Sequence, residues 1–224
     1  MVRYRPALRM LAACLALLAG FVDAVGFLRA GGYFVSFMSG NSTRLAVDAQ
    51  AGLGGVLIPL GLIGGFVGGV ILGALAGRAA GARRKPAVLG LVALLLIGAS
   101  IAARVGAPAL VLEALVLAMG ALNNVFQRDG EVAIGVTYMT GTLVRLGQGV
   151  AARIGGEEGT SWLFNLALWA SLVAGAIAGA AVQVHAPALS LPLAASWAAA
   201  MTAWAVRLTA NPPAGQLSEG AIPA

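Results

Sequence analysis

Residues 35–45 read V-S-F-M-S-G-N-S-T-R-L, and residues 136–146 read V-T-Y-M-T-G-T-L-V-R-L. Val35/Val136, Met38/Met139, Gly40/Gly141, Arg44/Arg145 and Leu45/Leu146 are identical. Ser36/Thr137, Phe37/Tyr138 and Ser39/Thr140 are close exchanges. A hydroxyl and a glycine, followed about one helical turn later by an arginine, suit the binding of an anion. A helix that restarts at the S-G or T-G step leaves its first amides unpaired and partially positive. Ser39 or Asn41 is expected to cap that start in the first copy, and Thr140 or Thr142 in the second. Arg44 and Arg145 then add full charge near the same ends. The plainer explanation of the same residues is structural. Each arginine snorkels to lipid headgroups, and each glycine only permits close helix contact.

A second polar feature accompanies each copy. Asp23 lies well inside an apolar run, where an ionisable group is costly and usually serves a function. The copies are offset by 101 residues, and at that offset Asp23 falls on Asn124. Asp23 could neutralise Arg44 or another arginine, whereas Asn124 could not neutralise Arg145. The sharpest expectation is one polar pocket holding Asp23, Ser39, Gly40, Asn41, Arg44, Asn124, Thr140, Gly141 and Arg145, with Gln127 pointing inward. Glu113 and Gln148 are weaker candidates for such a cavity. Glu157 and Glu158 suit a solvated loop, and His185 a helix end.

Catalytic signatures are missing. No H-E-x-x-H, G-x-S-x-G or phosphate-loop lysine motif occurs. An intramembrane hydrolase built on Ser39 or Thr140 would have Asp23 alone as its base. One histidine and one cysteine, Cys14, exclude a disulfide within the chain and a multi-cysteine metal site. No catalytic residue, metal or cofactor is expected.

The surroundings of these residues are apolar. Hydrophobic residues make up 60% of the 224, charged residues 10%, and mean hydropathy is +0.92. A soluble domain carries about 25% charged residues, so this chain has too few to cover a water-facing surface. Its environment is a lipid bilayer. The 32 glycines become packing surface there, because small residues let helices approach closely. The net charge of +6 comes from arginines in short loops, which bears on topology and not on nucleic acid.

A bilayer core of about 30 Å needs roughly 20 apolar residues in helix. Six stretches qualify, at about 8–28, 53–77, 87–104, 109–127, 162–184 and 188–208. The first could also be a cleaved signal peptide, but its apolar run continues past Gly20 with no clear cleavage site. Residues 209–224 have the composition of a disordered cytoplasmic tail. Arg3, Arg5 and Arg9 place the N-terminus in the cytoplasm, and Arg78, Arg83, Arg84 and Lys85 place their loop there too. An even number of crossings must separate them. Residues 33–49 should therefore dip in and return, or lie partly in the interface, and residues 134–150 correspond to them in the second half.

Each half has the order polar-ended span, motif, glycine-rich span, span. The halves run at about 8–104 and 109–208, within one membrane domain whose segments are 1–86 and 87–208. Gly61, Gly65, Gly69, Gly73 and Gly77 form one small-residue row, and Ala167, Ser171, Gly175 and Gly179 another. Three spans per half invert the second half, an arrangement common in secondary transporters, with sites at the repeat interface.

G-F-V-D-A-V-G-F-L at 20–28 with F-V-S-F-M-S-G-N at 34–41, and A-L-N-N-V-F-Q at 121–127 with Y-M-T-G-T-L at 138–143, resemble the two signatures of the YoaK-like bacterial membrane proteins. The resemblance covers roughly residues 10–208. It implies a six-span inner-membrane protein of largely uncharacterised function, with Asp23, Met38, Ser39, Gly40, Asn41, Asn123, Asn124, Gln127, Met139, Thr140, Gly141 and Thr142 as motif residues. Gln127 followed by Arg128 departs from the pattern and leaves the length of span four open.

The expectation is an all-α polytopic membrane protein of two inverted three-helix repeats, each with a broken or re-entrant segment. It would move a small anionic or polar solute or ion, with both termini cytoplasmic. The alternative is a non-transporting scaffold or sensor whose glycine rows pack a homodimer.

Overall fold

The computed structural model describes residues 6–128, 131–132, 135–157 and 161–210. The N-terminal arginines Arg3 and Arg5, Glu158 and most of the expected tail lie outside the described residues. Among the described residues eight α-helices follow one another: α1 (Pro6–Arg29), α2 (Met38–Asp48), α3 (Leu53–Ala80), α4 (Arg84–Arg104), α5 (Pro108–Leu122), α6 (Met139–Ile154), α7 (Ser161–His185) and α8 (Pro187–Ala210). A two-residue ladder, β1 (Gln127–Arg128) with β2 (Glu131–Val132), is the sheet pairing among the described residues.

Four helical stretches are long and apolar enough to cross a membrane: Pro6–Arg29, Gly54–Arg104, Trp162–His185 and Pro187–Ala210. At 1.5 Å per residue the 24 residues of α1 reach about 36 Å, enough for a bilayer core of about 30 Å. The 51-residue stretch is α3 and α4 folded back through one 3-10 turn, Gly81–Arg83. Large apolar side chains remain exposed along these helices, among them Leu57, Leu60, Val67 and Leu75 of α3, Leu94 and Ile101 of α4, and Ile177 of α7. A soluble protein rarely exposes contiguous apolar surface on that scale. Lipid is the medium that accepts it.

Helix α5 is shorter than the expected 109–127. It starts with Pro108 at its first position, where a missing amide costs nothing, and ends at Leu122. The asparagines stop it. Asn123 Nδ2 donates to the carbonyl of Met119 at 3.0 Å, and Asn124 Nδ2 to that of Ala121 at 3.3 Å. The side chains share these carbonyls and the backbone tightens, with Asn124 N–H donating to Ala121 and Val125 N–H to Leu122, three residues back in place of four.

Close contacts fix the packing. A Cβ on Gly175 or Gly179 of α7 would overlap the carbonyls of Leu17 and Phe21 in α1, and a Cβ on Gly20 would overlap that of Leu172. In the same way Gly69 of α3 meets the Leu117 carbonyl of α5, Gly73 meets Ala121, and Gly120 meets the Phe66 carbonyl. The order of contacts makes α1 parallel to α7 and α3 parallel to α5. Arg29 at the end of α1 reaches the Pro187 carbonyl at the start of α8, and Arg104 at the end of α4 lies beside the same place. Thus α1, α4 and α7 run one way, and α3, α5 and α8 the other. The core is formed by Leu11, Leu15 and Leu18 of α1, Leu89 and Leu96 of α4, and Leu115 and Met119 of α5.

The glycine row on α3 is occupied inside the chain. Gly65, Gly69 and Gly73 face α5 and Gly77 faces Arg84, while Gly61 alone of the row has open space around it. The expectation of a homodimer rested on this row, and its partner is α5 of the same chain. Gly175→Ala is expected to destabilise the protein by about 1–3 kcal/mol, the usual cost of overpacking. Gly64→Ala, with no atom within 4 Å of the added methyl, should be neutral or stabilising by up to about 1 kcal/mol. Thermal unfolding in detergent distinguishes these outcomes.

Candidate functional site

The chain between α1 and α2 does not leave the bundle at once. Gly31 and Gly32, at φ 63° and 96°, turn it back so that Val35 is fully buried. Gly26 makes room, since a Cβ there would lie 2.6 Å from Val35 Cγ1. Three successive amides in this segment donate to side chains. Phe34 N–H donates to Asn41 Oδ1 at 3.0 Å, and Val35 and Ser36 N–H both donate to Asp23 Oδ1, at 3.0 and 2.8 Å. Asn41, itself completely buried, closes the ring by donating from Nδ2 to the Phe34 carbonyl at 2.7 Å. Phe34 also packs on Phe27 and edge-on to Phe37, with ring centroids 4.9 and 5.2 Å apart.

The segment between α5 and α6 is held by a related device. Val136 is buried, and Thr137 Oγ1 donates to Asn123 Oδ1 at 2.9 Å. The sequence offset of 101 pairs Asp23 with Asn124, whereas the packing pairs it with Asn123. Leu17, Gly20 and Phe21 make the contacts to α7 that Leu117, Gly120 and Ala121 make to α3. Those positions are each 100 apart, and 100 beyond Asp23 is Asn123. Asn124 points elsewhere, and its Nδ2 donates to the Val70 carbonyl at 3.1 Å, beside Gly73.

The expected common pocket does not form. Asp23 lies near the end of α1 and Asn123 at the end of α5, and these helices run in opposite directions. The two clusters therefore sit at opposite ends of the bundle. Asp23 does not pair with Arg44. The guanidinium of Arg44 lies 4.9 Å above the Tyr33 ring, and Tyr33 donates its hydroxyl to Asp48 Oδ2 at 2.6 Å. Arg145 is exposed. The Gln127 carbonyl accepts from Arg84 Nη1 at 3.1 Å, which anchors the turn after α5 to the start of α4.

The S-G and T-G steps are not breaks. Helices α2 and α6 begin at Met38 and Met139, so Ser39, Gly40, Thr140 and Gly141 occupy first turns. The capping positions are Phe37 and Tyr138, and no side chain caps either start. Asn41 is turned back to Phe34, and Thr142 Oγ1 donates to the Tyr138 carbonyl. The irregular backbone comes earlier, before the methionine in each copy. Asn41 is the residue whose weight the sequence understated: it is a clamp, not a cap. At 11 and 16 residues, α2 and α6 are short, as is the 15-residue α5, but α5 is apolar whereas α2 carries Arg44 and α6 carries Arg145 and Arg153.

This is a polytopic helical membrane protein in which the segments leading into two short helices, α2 and α6, are tied to the bundle by polar side chains. The chain belongs to the DUF1275 family, described as proteins of unknown function, whose pattern it matches over residues 11–205. A relative from Rhizobium meliloti (strain 1021), described as UPF0700 transmembrane protein RA0705, is 40% identical over 187 residues, covering 81% of this chain and 78% of the relative. No solved structure matches the chain. The family agrees with the resemblance drawn from the two motifs.

Asp23→Ala removes the acceptor of two part-buried amides, at up to about 3 kcal/mol for each group left unpaired. The Val35 and Ser36 amides are then expected to exchange with solvent at least tenfold faster by hydrogen–deuterium exchange. Asp23→Asn keeps an oxygen acceptor and should slow exchange back towards the wild-type rate. Unchanged exchange in Asp23→Ala would remove the carboxylate from this role.

The hydrogen bond to Asp48, with smaller contributions from desolvation and the Asp48 charge, raises the Tyr33 pKa above its ordinary value. A raised folded-state pKa favours the neutral form. The contribution to stability is therefore present below the ordinary tyrosine pKa and is lost as pH rises through the folded one. Asp48→Asn should move the tyrosinate absorbance transition of Tyr33 to lower pH.

Proposed function

We propose that the chain moves a small polar or anionic solute across the bacterial inner membrane, as two inverted three-helix halves with both termini cytoplasmic. One half comprises α1, α3 and α4, and the other α5, α7 and α8, which gives six crossings. In each, a non-crossing segment closes one end of the bundle. The observation that carries this reading is the pair of polar ties, Asp23 to Val35 and Ser36, and Asn123 to Thr137, at opposite ends of antiparallel helices.

Several features support it. Irregular backbone at membrane depth persists only where protein or a water-filled cavity surrounds it. Inverted halves with interrupted segments are a recurrent transporter design. The glycine contacts of α1 with α7 repeat those of α5 with α3, as duplicated halves would require. Arg44 and Arg145 lie on α2 and α6, one at each mouth, where they would raise the local concentration of an anion. The first tie is a carboxylate and the second an amide, so proton binding weakens only the first. On this reading the chain performs no covalent chemistry and needs no cofactor. A non-transporting homodimeric scaffold loses its main support once the α3 glycine row is filled by α5.

Flux decides the matter. Proteoliposomes loaded with a radiolabelled carboxylate, inorganic phosphate or a neutral polyol should release at least one of them ten times faster than protein-free vesicles. Asn41→Ala, which unties Phe34, should change that rate at least fivefold. A folded protein that accelerates none of the panel would sink the transport reading.

A further inference from the structure

Where α1 and α4 end and α8 begins, a cavity of about 480 Å3 opens. Arg29, Ser100, Arg104, Ala188, Leu191 and Pro192 contribute to its wall, and no acidic side chain does. This place is separate from both motif segments. The volume lies within the usual range for sites of small molecules, about 300–1,000 Å3.

The chemistry of the wall is specific. Arg29 is held in place, with Nε donating to Gln183 Oε1 at 3.2 Å and Nη2 to the Pro187 carbonyl at 3.3 Å. Gln183 Oε1 also accepts from the buried hydroxyl of Ser190 at 2.8 Å. Among the described residues the remaining amino group of Arg29, Nη1, has no hydrogen bond. Arg104 is exposed and has no hydrogen-bond or ion-pair partner among the described residues. Two like charges flanking one cavity repel each other unless an anion sits between them. Guanidinium forks fit carboxylate and phosphate oxygens in pairs. Pro192 has no N–H, so the Ala188 carbonyl lacks its usual helical donor and is free to accept. With the Ser100 hydroxyl, the wall thus offers donors for an oxyanion and an acceptor for an O–H or N–H on the same ligand.

We propose that this cavity is a binding site for a small oxyanion, a carboxylate or phosphate group, held between the guanidiniums of Arg29 and Arg104. The group comes from either of two sources, a free anion in water or the headgroup of an anionic lipid. Exposed Ile101, Val105, Leu189 and Leu193 flank the same helix ends and would accept acyl chains. The site is an equilibrium binding site and does not depend on whether the chain transports anything.

The test uses the full chain in neutral detergent, stripped of lipid, at constant ionic strength. Inorganic phosphate, succinate and short-chain phosphatidylglycerol are titrated separately while thermal unfolding and heat of binding are followed. At least one probe should bind saturably, with affinity falling at least tenfold in Arg104→Gln. Arg83→Gln removes an exposed arginine from the α3–α4 turn and should leave affinity within twofold. Ser100→Ala, which changes no charge, should weaken phosphate at least threefold. Binding of phosphate or succinate alone identifies a free anion as the ligand, and binding of the lipid alone identifies a headgroup. Equal affinity in wild type and Arg104→Gln, or no binding of any probe by the folded protein, overturns the proposal.

Discussion

A backbone amide that enters an apolar bundle must find an acceptor inside the protein, and Asp23 supplies one for two amides at once. Everything at that end of the molecule follows from this constraint. Val35 fills the space left by Gly26 only because the chain on either side of it can be buried without unpaired donors. Asn41 extends the same solution by one residue, taking both the amide and the carbonyl of Phe34. A carboxylate in an apolar helix is expensive alone. The Val35 and Ser36 amides give it hydrogen-bond partners there.

The rest of the bundle is built for rigidity. Contacts between glycine and carbonyl bring α1 against α7 and α3 against α5 so closely that a single methyl group would collide. In lipid there is little hydrophobic force between helices, so such close van der Waals packing has to do the holding. Rigid helix pairs and locally tied segments make a clear division of labour. The pairs set the frame, while α2 packs on α3 and α6 on α7, and side-chain hydrogen bonds hold the segments that lead into them.

Much of this was legible in the residues, and the limits are instructive. Runs of apolar residues and the placement of arginines located the long helices, because bilayer thickness fixes their length. The two V-x-x-M-x-G-x-x-x-R-L copies mark α2 and α6, and the arginine-rich loop after α3 is what argues that the first of them dips in and returns. The geometry within the motifs was not legible. Ser39 and Thr140 looked like caps, but a cap depends on where the helix starts, and the starts at Met38 and Met139 place both residues inside the first turn. An ungapped offset of 101 pairs Asp23 with Asn124. One residue of slippage between α5 and its following segment makes Asn123 the counterpart, and the matched pairs Leu17/Leu117 and Gly20/Gly120 carried that signal. The shared pocket failed for a topological reason. Asp23 and Asn123 each lie at the end of a helix, and α1 and α5 run antiparallel, which sets the two ties at opposite ends of the bundle.

Side-specific labelling shows whether α2 and α6, which follow the two ties, face opposite sides of the membrane. With Cys14→Ala as background, Ser39→Cys and Thr140→Cys each place one thiol on an exposed first-turn position, on α2 and α6 respectively. A membrane-impermeant maleimide is applied to intact cells and to inverted vesicles. The thiol at 39 should react only in intact cells and the thiol at 140 only in inverted vesicles. Labelling of both from the same side would contradict the account.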